Sequence, residues 1–466
     1  MEQIKKRISD FFELITSERF FFYYIAFVMI ALPVTEIFDE LHSMIFASQP
    51  IIVEMAGYFG IFIFAVHFLK HQGIKYYLSD LLYFLLFVFA VLSAVFSHNK
   101  YDTFHGFYYD EWLFNFVGYF SLMLAGTMIQ DKQLRKKLIN IFILVTVIQV
   151  SFGVLQTFGI SLRECYFDTE IIMSAKRSYG LIQHSNWFGG LTVLLFACTS
   201  GAFLYTQNKV TRNACYIISV ICFYTLISAE ARLAWVGVFG YLLFLAVSII
   251  VMKRKGLEKE KLMSIIKRLL VLLLGMAVVT VIAIVFFGRI IERVQQTKTE
   301  MSGDGFIHMG REGMGSGRVY IWKQGLKSVP DHWAFGIGLD NYRDVFLSDS
   351  EFDGMFTQGK GHNEYIHYLV TQGVFQLITY LTLLIHTAVT GVKNVIKNDD
   401  NEERYLNWIL MGMFFGYTAQ AFFNSSVVNV VPYFWITVGM LLTKKNQRPL
   451  GSSKKNRESA AAKHGK

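Results

Sequence analysis

The sequence predicts an all-α polytopic membrane protein of about twelve transmembrane helices, with a large outer loop that contains an amphipathic helix. Three observations predict it. Hydrophobic residues make up 53% of the 466 positions and charged residues only 17%, too few to clothe a soluble domain of this size. Apolar runs of about 20 residues, enough to cross the hydrocarbon core as a helix, recur from end to end. Lysine and arginine collect in alternate loops, as the positive-inside tendency requires of a chain that threads back and forth.

Residues 1–19, MEQIKKRISDFFELITSER, are charged and amphipathic and carry no small-residue cleavage site, so they read as a cytoplasmic lead-in to an uncleaved first span. A transmembrane bundle then occupies 20–443. Its spans fall at 20–38, 50–69, 78–97, 112–129, 138–158, 187–205, 214–228, 232–252, 269–287, 364–392, 405–422 and 428–443. The seventh is short and the tenth long, which predicts a tilt or a break there. Residues 444–466 form a basic tail, low in apolar residues and predicted to be disordered.

Orientation follows from the loops. The N-terminus, the even-numbered loops and the tail hold 30 of the 44 lysines and arginines. Nine of the other 14 lie in the single long loop 288–361, which the charge rule hardly constrains. Both termini are therefore placed in the cytoplasm and the odd-numbered loops outside. This pattern absorbs the net charge of +9 as topology plus attraction to anionic lipid heads, and leaves nucleic-acid binding without support. The four cysteines make neither a disulfide framework nor a metal spacing: Cys198, Cys215 and Cys222 lie in or beside apolar runs, and Cys165 is alone in an outer loop.

Two outer loops stand out. Residues 159–186 include AKRSYGLIQHSNWFGG, and 288–361 is far longer than an ordinary connection. The longer loop ends in an ordered pattern. Ser316 can cap a helix that starts near Gly317; Val319, Trp322, Leu326 and Val329 then recur on one face, and Pro330 follows. Such a helix lies on the membrane surface or against the bundle and carries Arg318 in its first turn.

Four groups suited to an anionic substrate collect on the predicted outer side: Arg177, Arg232, Arg318 and His362. Arg232 lies in ISAEARLAW between two spans with almost no loop. An arginine near the bilayer centre costs roughly 2.5–3.5 kcal/mol, less at the edge, so it has a partner or a purpose. Pairing with Glu230 is the plain alternative. Guanidinium groups stay charged and grip oxygen pairs in a planar fork, which suits a diphosphate. A neutral imidazole such as His362 can take a proton from an attacking hydroxyl; as a lone residue at a span entrance it equally suits a structural hydrogen bond. His184 and His367 are weaker candidates of the same type. Asp349, Glu351 and Asp353 alternate in SDSEFDG, but no histidine–cysteine set accompanies them, and they read as an acidic loop apex. No metal or cofactor is predicted.

The run SGRVYIWKQGL, then FGIGLDNY, then GHNEYIHYLVTQGVFQLITYL resembles the signature region of the O-antigen ligase superfamily, which also contains polymerases of lipid-linked repeat units. Upstream, RSYGLIQHSNWFGG and SAEARLAW resemble its arginine-to-asparagine segment and its span-entrance arginine, and FFNSS precedes the last span, so the resemblance covers about 175–440. The resemblance implies a metal-independent, inverting glycosyl transfer on the outer face of the cytoplasmic membrane, from an undecaprenyl-diphosphate-linked glycan to a saccharide acceptor. Carried over, Arg232 and Arg318 bind the diphosphate and His362 activates the acceptor or orients the donor. Arg177, Asn186 and Asn363 are substrate-binding candidates. Other envelope-glycan assembly proteins are possible partners on the same basis. A composition rich in Lys, Ile and Phe with few prolines suits a low-GC genome and leans the reading from ligase toward polymerase. The rival class is a transporter or flippase of lipid-linked sugar. Twelve spans suit it, but the ionisable candidates gather at one face instead of the bilayer midplane.

Overall fold

The computed structural model describes residues 2–41, 48–70, 76–106, 111–161, 177–182, 184–254, 258–287, 295, 317–347, 359–398 and 400–450. Helices appear in this order: α1 Glu2–Ile15, α2 Glu18–Leu41, α3 Ser48–Lys70, α4 Leu78–Val95, α5 Lys100–His105, α6 Leu113–Met128, α7 Lys132–Thr157 and α8 Ser185–Tyr205. They continue as α9 Lys209–Ser228, α10 Arg232–Arg254, α11 Lys259–Phe287, α12 Arg318–His332, α13 Asp344–Leu347, α14 Glu364–Lys397, α15 Asn401–Gln420 and α16 Val431–Leu441.

Nine of the described helices are long and apolar enough to cross a membrane: α2, α3, α4, α7, α8, α9, α10, α11 and α14. The other three predicted spans also form helices, but differently. α6 and α16 are only 16 and 11 residues long, and almost every residue in them is buried. α15 opens with Asn401, Glu402, Glu403 and Arg404, which makes it more polar. The expected short seventh span has 20 residues, because helix α9 starts five residues earlier, where Asn208 caps it by accepting from the Thr211 N–H.

The bundle is built around α8. Its sequence is apolar all round with no polar stripe, and every residue in it except Asn186 is buried. α7, α9, α10 and α15 pack against it; α6 joins the neighbouring group of α2, α3, α4 and α16. Cys198, Cys215 and Cys222 are free thiols buried in this core, and Cys165 lies outside the described residues.

The predicted break in the tenth span falls at Gly373, where α14 adopts φ 81 and ψ 179. A break inside a membrane is tolerated only where protein takes up the freed backbone groups. Here the segment 333–338 does so. The Ile337 and Gly338 N–H groups donate to the Val370 and Thr371 carbonyls at 3.0 and 2.9 Å, and the Val374 N–H donates to the Trp333 carbonyl at 2.8 Å. The fit needs bare backbone on both sides: a Cβ on Gly373 would lie 2.2 Å from the Ala334 oxygen, and one on Gly336 2.3 Å from the Thr371 carbonyl carbon.

Helix α12 corresponds to the amphipathic helix expected in the long loop, with two corrections. It runs two residues beyond Pro330, and its most buried residues are Ile321, Gln324 and Gly325, while Leu326 is exposed. The rotation follows from Tyr342, a fully buried ring whose hydroxyl donates to the Ile321 carbonyl at 3.0 Å. Trp322 and Val329 flank that contact against Ile337, Val345 and Val370. Ser316, and the remainder of 288–361 apart from 295, 317–347 and 359–361, lie outside the described residues, as does the Asp349–Glu351–Asp353 cluster. At the other end of the bundle, residues 444–450 are pinned. Lys445 reaches the Gln130 carbonyl at 2.7 Å and Glu403 at 3.1 Å, and the Leu450 N–H donates to the Tyr76 carbonyl at 2.7 Å. Residues 451–466 lie outside the described residues.

Candidate active site

The site forms at the end of the bundle where α6, α8, α10, α12 and α14 begin. Its centre is Lys360–Asn363, the last four residues before α14. Asn363 caps that helix, its side-chain oxygen accepting from the Tyr365 and Ile366 N–H groups at 3.0 Å each. The preceding His362 has φ 46, in the left-handed region that non-glycine residues adopt at a cost of about 1–3 kcal/mol and that gathers at functional sites. Its neighbours hold it there. The Trp322 indole N–H donates to the Gly361 carbonyl at 2.8 Å. The Lys360 ammonium is buried against the Glu111 carboxylate, and the Gly361 N–H points at His367 Nδ1, 3.4 Å away.

Glu111 stands two residues before the start of α6, and it is only 1% exposed. Burial raises the pKa of its carboxyl, Lys360 and Ser426 oppose that, and Asp340 adds to it. The Tyr119 hydroxyl donates to Glu111 at 3.4 Å, and His367 Nε2 lies 4.0 Å from it. Deeper in, the Tyr417 hydroxyl donates to Glu364 at 3.1 Å, and Tyr380 donates to the other oxygen of that carboxylate. A polar network therefore extends below His362 into the bundle.

The imidazole of His362 is pushed down to about 3, first by burial and then by the charges of Arg318, His184 and Lys360. Those causes show what the fold assembles: Arg318 and His184 are brought from two distant stretches of sequence to the ring that follows Lys360. His184 caps α8, its Nδ1 accepting from the Asn186 N–H at 3.2 Å while its ring stacks on Trp187 at 4.5 Å. It is lowered to about 4, by burial first and then by Arg177. Both imidazoles are thus neutral at physiological pH. Arg318 is the first residue of α12, behind Gly317, and α12 is held to the site through Trp322 and Tyr342.

Arg177 is buried beside the turn between α9 and α10. Its Nε and Nη2 donate to the Ala229 carbonyl at 3.2 and 2.8 Å, and Nε lies 3.5 Å from a Glu230 carboxylate oxygen. Glu230 also has positive φ, at 54, and so does Asp340 at 59. All three non-glycine residues with positive φ among those described are at this end of the molecule. Glu230 therefore pairs with Arg177, and Arg232 is the first residue of α10, two positions further on. Asn186 is half-buried near the start of α8. Of the predicted residues, His362, Arg318 and, through His184, Arg177 belong to one electrostatic cluster; Asn363 has a capping role.

Lys360 and Glu111 are the residues that sequence reasoning missed. Lys360 stands immediately before the peptide GHNEYIHYL, and its burial is visible only in the structure. Glu111 is 249 positions away in sequence, and only a lone acidic residue at a span entrance marks it. Among the described residues, no group of three or more His, Cys, Asp or Glu side chains is placed to hold a metal ion.

Residues 217–381 match the family described as O-antigen ligase, which supports placing the chain in the O-antigen ligase-related superfamily. The matched stretch contains Arg232, Arg318, Lys360, His362 and Asn363, and leaves out Glu111, Arg177 and Asn186. No curated protein matches the chain.

Proposed function

We propose that this protein is an inverting, metal-independent glycosyltransferase of the cytoplasmic membrane. It moves a glycan from undecaprenyl diphosphate to a saccharide acceptor on the outer face, acting as a repeat-unit polymerase in preference to a ligase. Both termini are then cytoplasmic. The observation that carries the reading is the pair of cations, Arg318 and Lys360, beside a neutral, conformationally strained His362, with Arg177 behind the neutral His184. A membrane protein that gathers this much positive charge at the starts of several helices favours an anion with more than one charge, and a diphosphate fits.

In this mechanism Arg318 and Arg232 hold the diphosphate oxygens. His362 takes the proton of the acceptor hydroxyl as that oxygen attacks the anomeric carbon from the face opposite the leaving group. The carbon–oxygen bond to the diphosphate breaks, and the arginines neutralise the departing charge. The same cations that suppress the basicity of His362 are offset when the donor arrives. Donor binding therefore raises the basicity of the imidazole at the moment it is needed.

The decisive experiment is transfer in reconstituted membranes with a matched lipid-linked donor and acceptor, comparing the wild type with Arg318→Ala and His362→Ala, each with and without chelator. Loss of transfer in both folded variants, with no chelator effect, supports the reading; a product ladder supports polymerase and a single addition ligase. Undiminished transfer in both variants would refute the assigned site. A wild type that moves labelled lipid across the bilayer without any transfer would identify a transporter.

A further inference from the structure

A second cationic site lies at the opposite end of the bundle. There the C-terminus of α8 and the N-termini of α9 and α11 line an open, shallow cavity of about 640 Å³. Its lining includes Arg212, Lys259, Lys267 and Arg268 against a single carboxylate, Glu260. Such an excess of cations in one concavity attracts an anion.

The cavity is built, and its lining changes along its depth. Arg268 Nη1 donates to the Leu204 and Thr206 carbonyls at 2.8 and 2.9 Å, so the guanidinium is fixed by the last turn of α8. Lys259, Met263, Lys267 and Val271 lie four residues apart, on one stripe of α11. That stripe runs about 18 Å from the helix start toward the middle of the bundle. Charged and apolar residues alternate along it, and it ends on Val271. Met263 and Val271 are apolar yet 43% and 46% exposed. A soluble anion has no use for those surfaces. An amphiphile does: its phosphate meets Arg212, Lys267 and Arg268, and its chains run inward along Val271.

We infer that this cavity binds one anionic phospholipid, its phosphate headgroup held between α9 and α11 and its acyl chains against the apolar part of the α11 stripe. A zwitterionic lipid brings its own ammonium group into the same cations and binds less well. The bound lipid bridges Arg212 on α9 with Lys267 on α11, and so ties together two helices of the bundle. The site is independent of the glycosyl-transfer reading and of the residues around His362.

The test uses the purified full-length protein, depleted of lipid in neutral detergent. Phosphatidylglycerol, phosphatidylcholine and glycerol 3-phosphate are titrated separately, with retained lipid read by native mass spectrometry and stability by thermal unfolding. The wild type is expected to retain one phosphatidylglycerol and to unfold at a higher temperature with it, at least tenfold more tightly than with phosphatidylcholine, and to be unaffected by glycerol 3-phosphate. Arg212→Gln/Lys267→Gln is expected to lose that retention, whereas Lys136→Gln/Lys137→Gln, which removes two charges from the start of α7, retains it. Should the double variant not fold, Lys267→Gln alone, on an exposed side chain, carries the same comparison with a smaller expected loss. Equal retention by the site variant and the wild type, equal retention of phosphatidylcholine, or stabilisation by glycerol 3-phosphate alone would each overturn the inference. No glycan substrate enters the assay, so its outcome is separate from that of the transfer experiment.

Discussion

His362 joins two features that are costly separately: a left-handed backbone and a ring surrounded by positive charge. Both are consistent with a base held in place before substrate arrives. Removing it as His362→Ala is expected to lower kcat by about 10²- to 10⁴-fold with little change in the folded yield, measured as donor turnover in proteoliposomes. Arg318→Ala is expected to lower kcat/KM by a similar factor, since it removes charge stabilisation of the leaving diphosphate. The pH dependence has a definite sign. In the free protein His362 loses its proton near pH 3, so kcat/KM shows no acid limb from this group in the physiological range. Donor diphosphate offsets the neighbouring cations and raises that pKa, so the acid limb of kcat is expected at higher pH than that of kcat/KM. Coincident limbs would count against His362 as the base.

At the scale of elements, the break in α14 and the loop that fills it are one construction. Gly373→Ala forces a Cβ onto the Ala334 oxygen at a backbone conformation that L-residues avoid. The expected result is a lower thermal midpoint in detergent together with lost transfer, because segment 333–338 also leads to the Tyr342 that fixes α12 and thus Arg318. The Lys360–Glu111 pair ties the loop before α14 to the start of α6. Lys360→Met leaves a buried carboxylate without its cation and is expected to cost about 3–5 kcal/mol, with the double variant Lys360→Met/Glu111→Gln recovering part of it. At the other end, fully buried Arg135 on α7 pairs with Glu403 and donates to the Asn407 side chain at 3.0 Å and the Met440 carbonyl at 3.1 Å, joining α7, α15 and α16. Arg135→Met is likewise expected to destabilise by about 3–5 kcal/mol. Lys132→Met, which removes an exposed pair with Asp400, should leave the midpoint nearly unchanged.

For the whole molecule, the sequence determined the class and the order of helices, because burial in lipid demands long apolar runs that satisfy their own backbone hydrogen bonds. The length of the tenth span also pointed to a tilt or a break, and the structure places a break at Gly373. The glycines of the signature peptides have a physical reason: Gly336 and Gly373 lie where FGIGLDNY meets the break in α14 through backbone contacts that leave no room for a Cβ. What the sequence did not determine is which apolar helices face lipid and which face protein. α6 and α16 are as apolar as the spans around them, yet they are short and enclosed, and only packing distinguishes the two surroundings. The pairing of charges was likewise decided in three dimensions. Arg177 reaches Glu230 across two intervening helices, and Lys360 finds Glu111 from the far side of the sequence. Electrostatic energy depends on distance and burial in space, and neither is written in the spacing of residues along the chain.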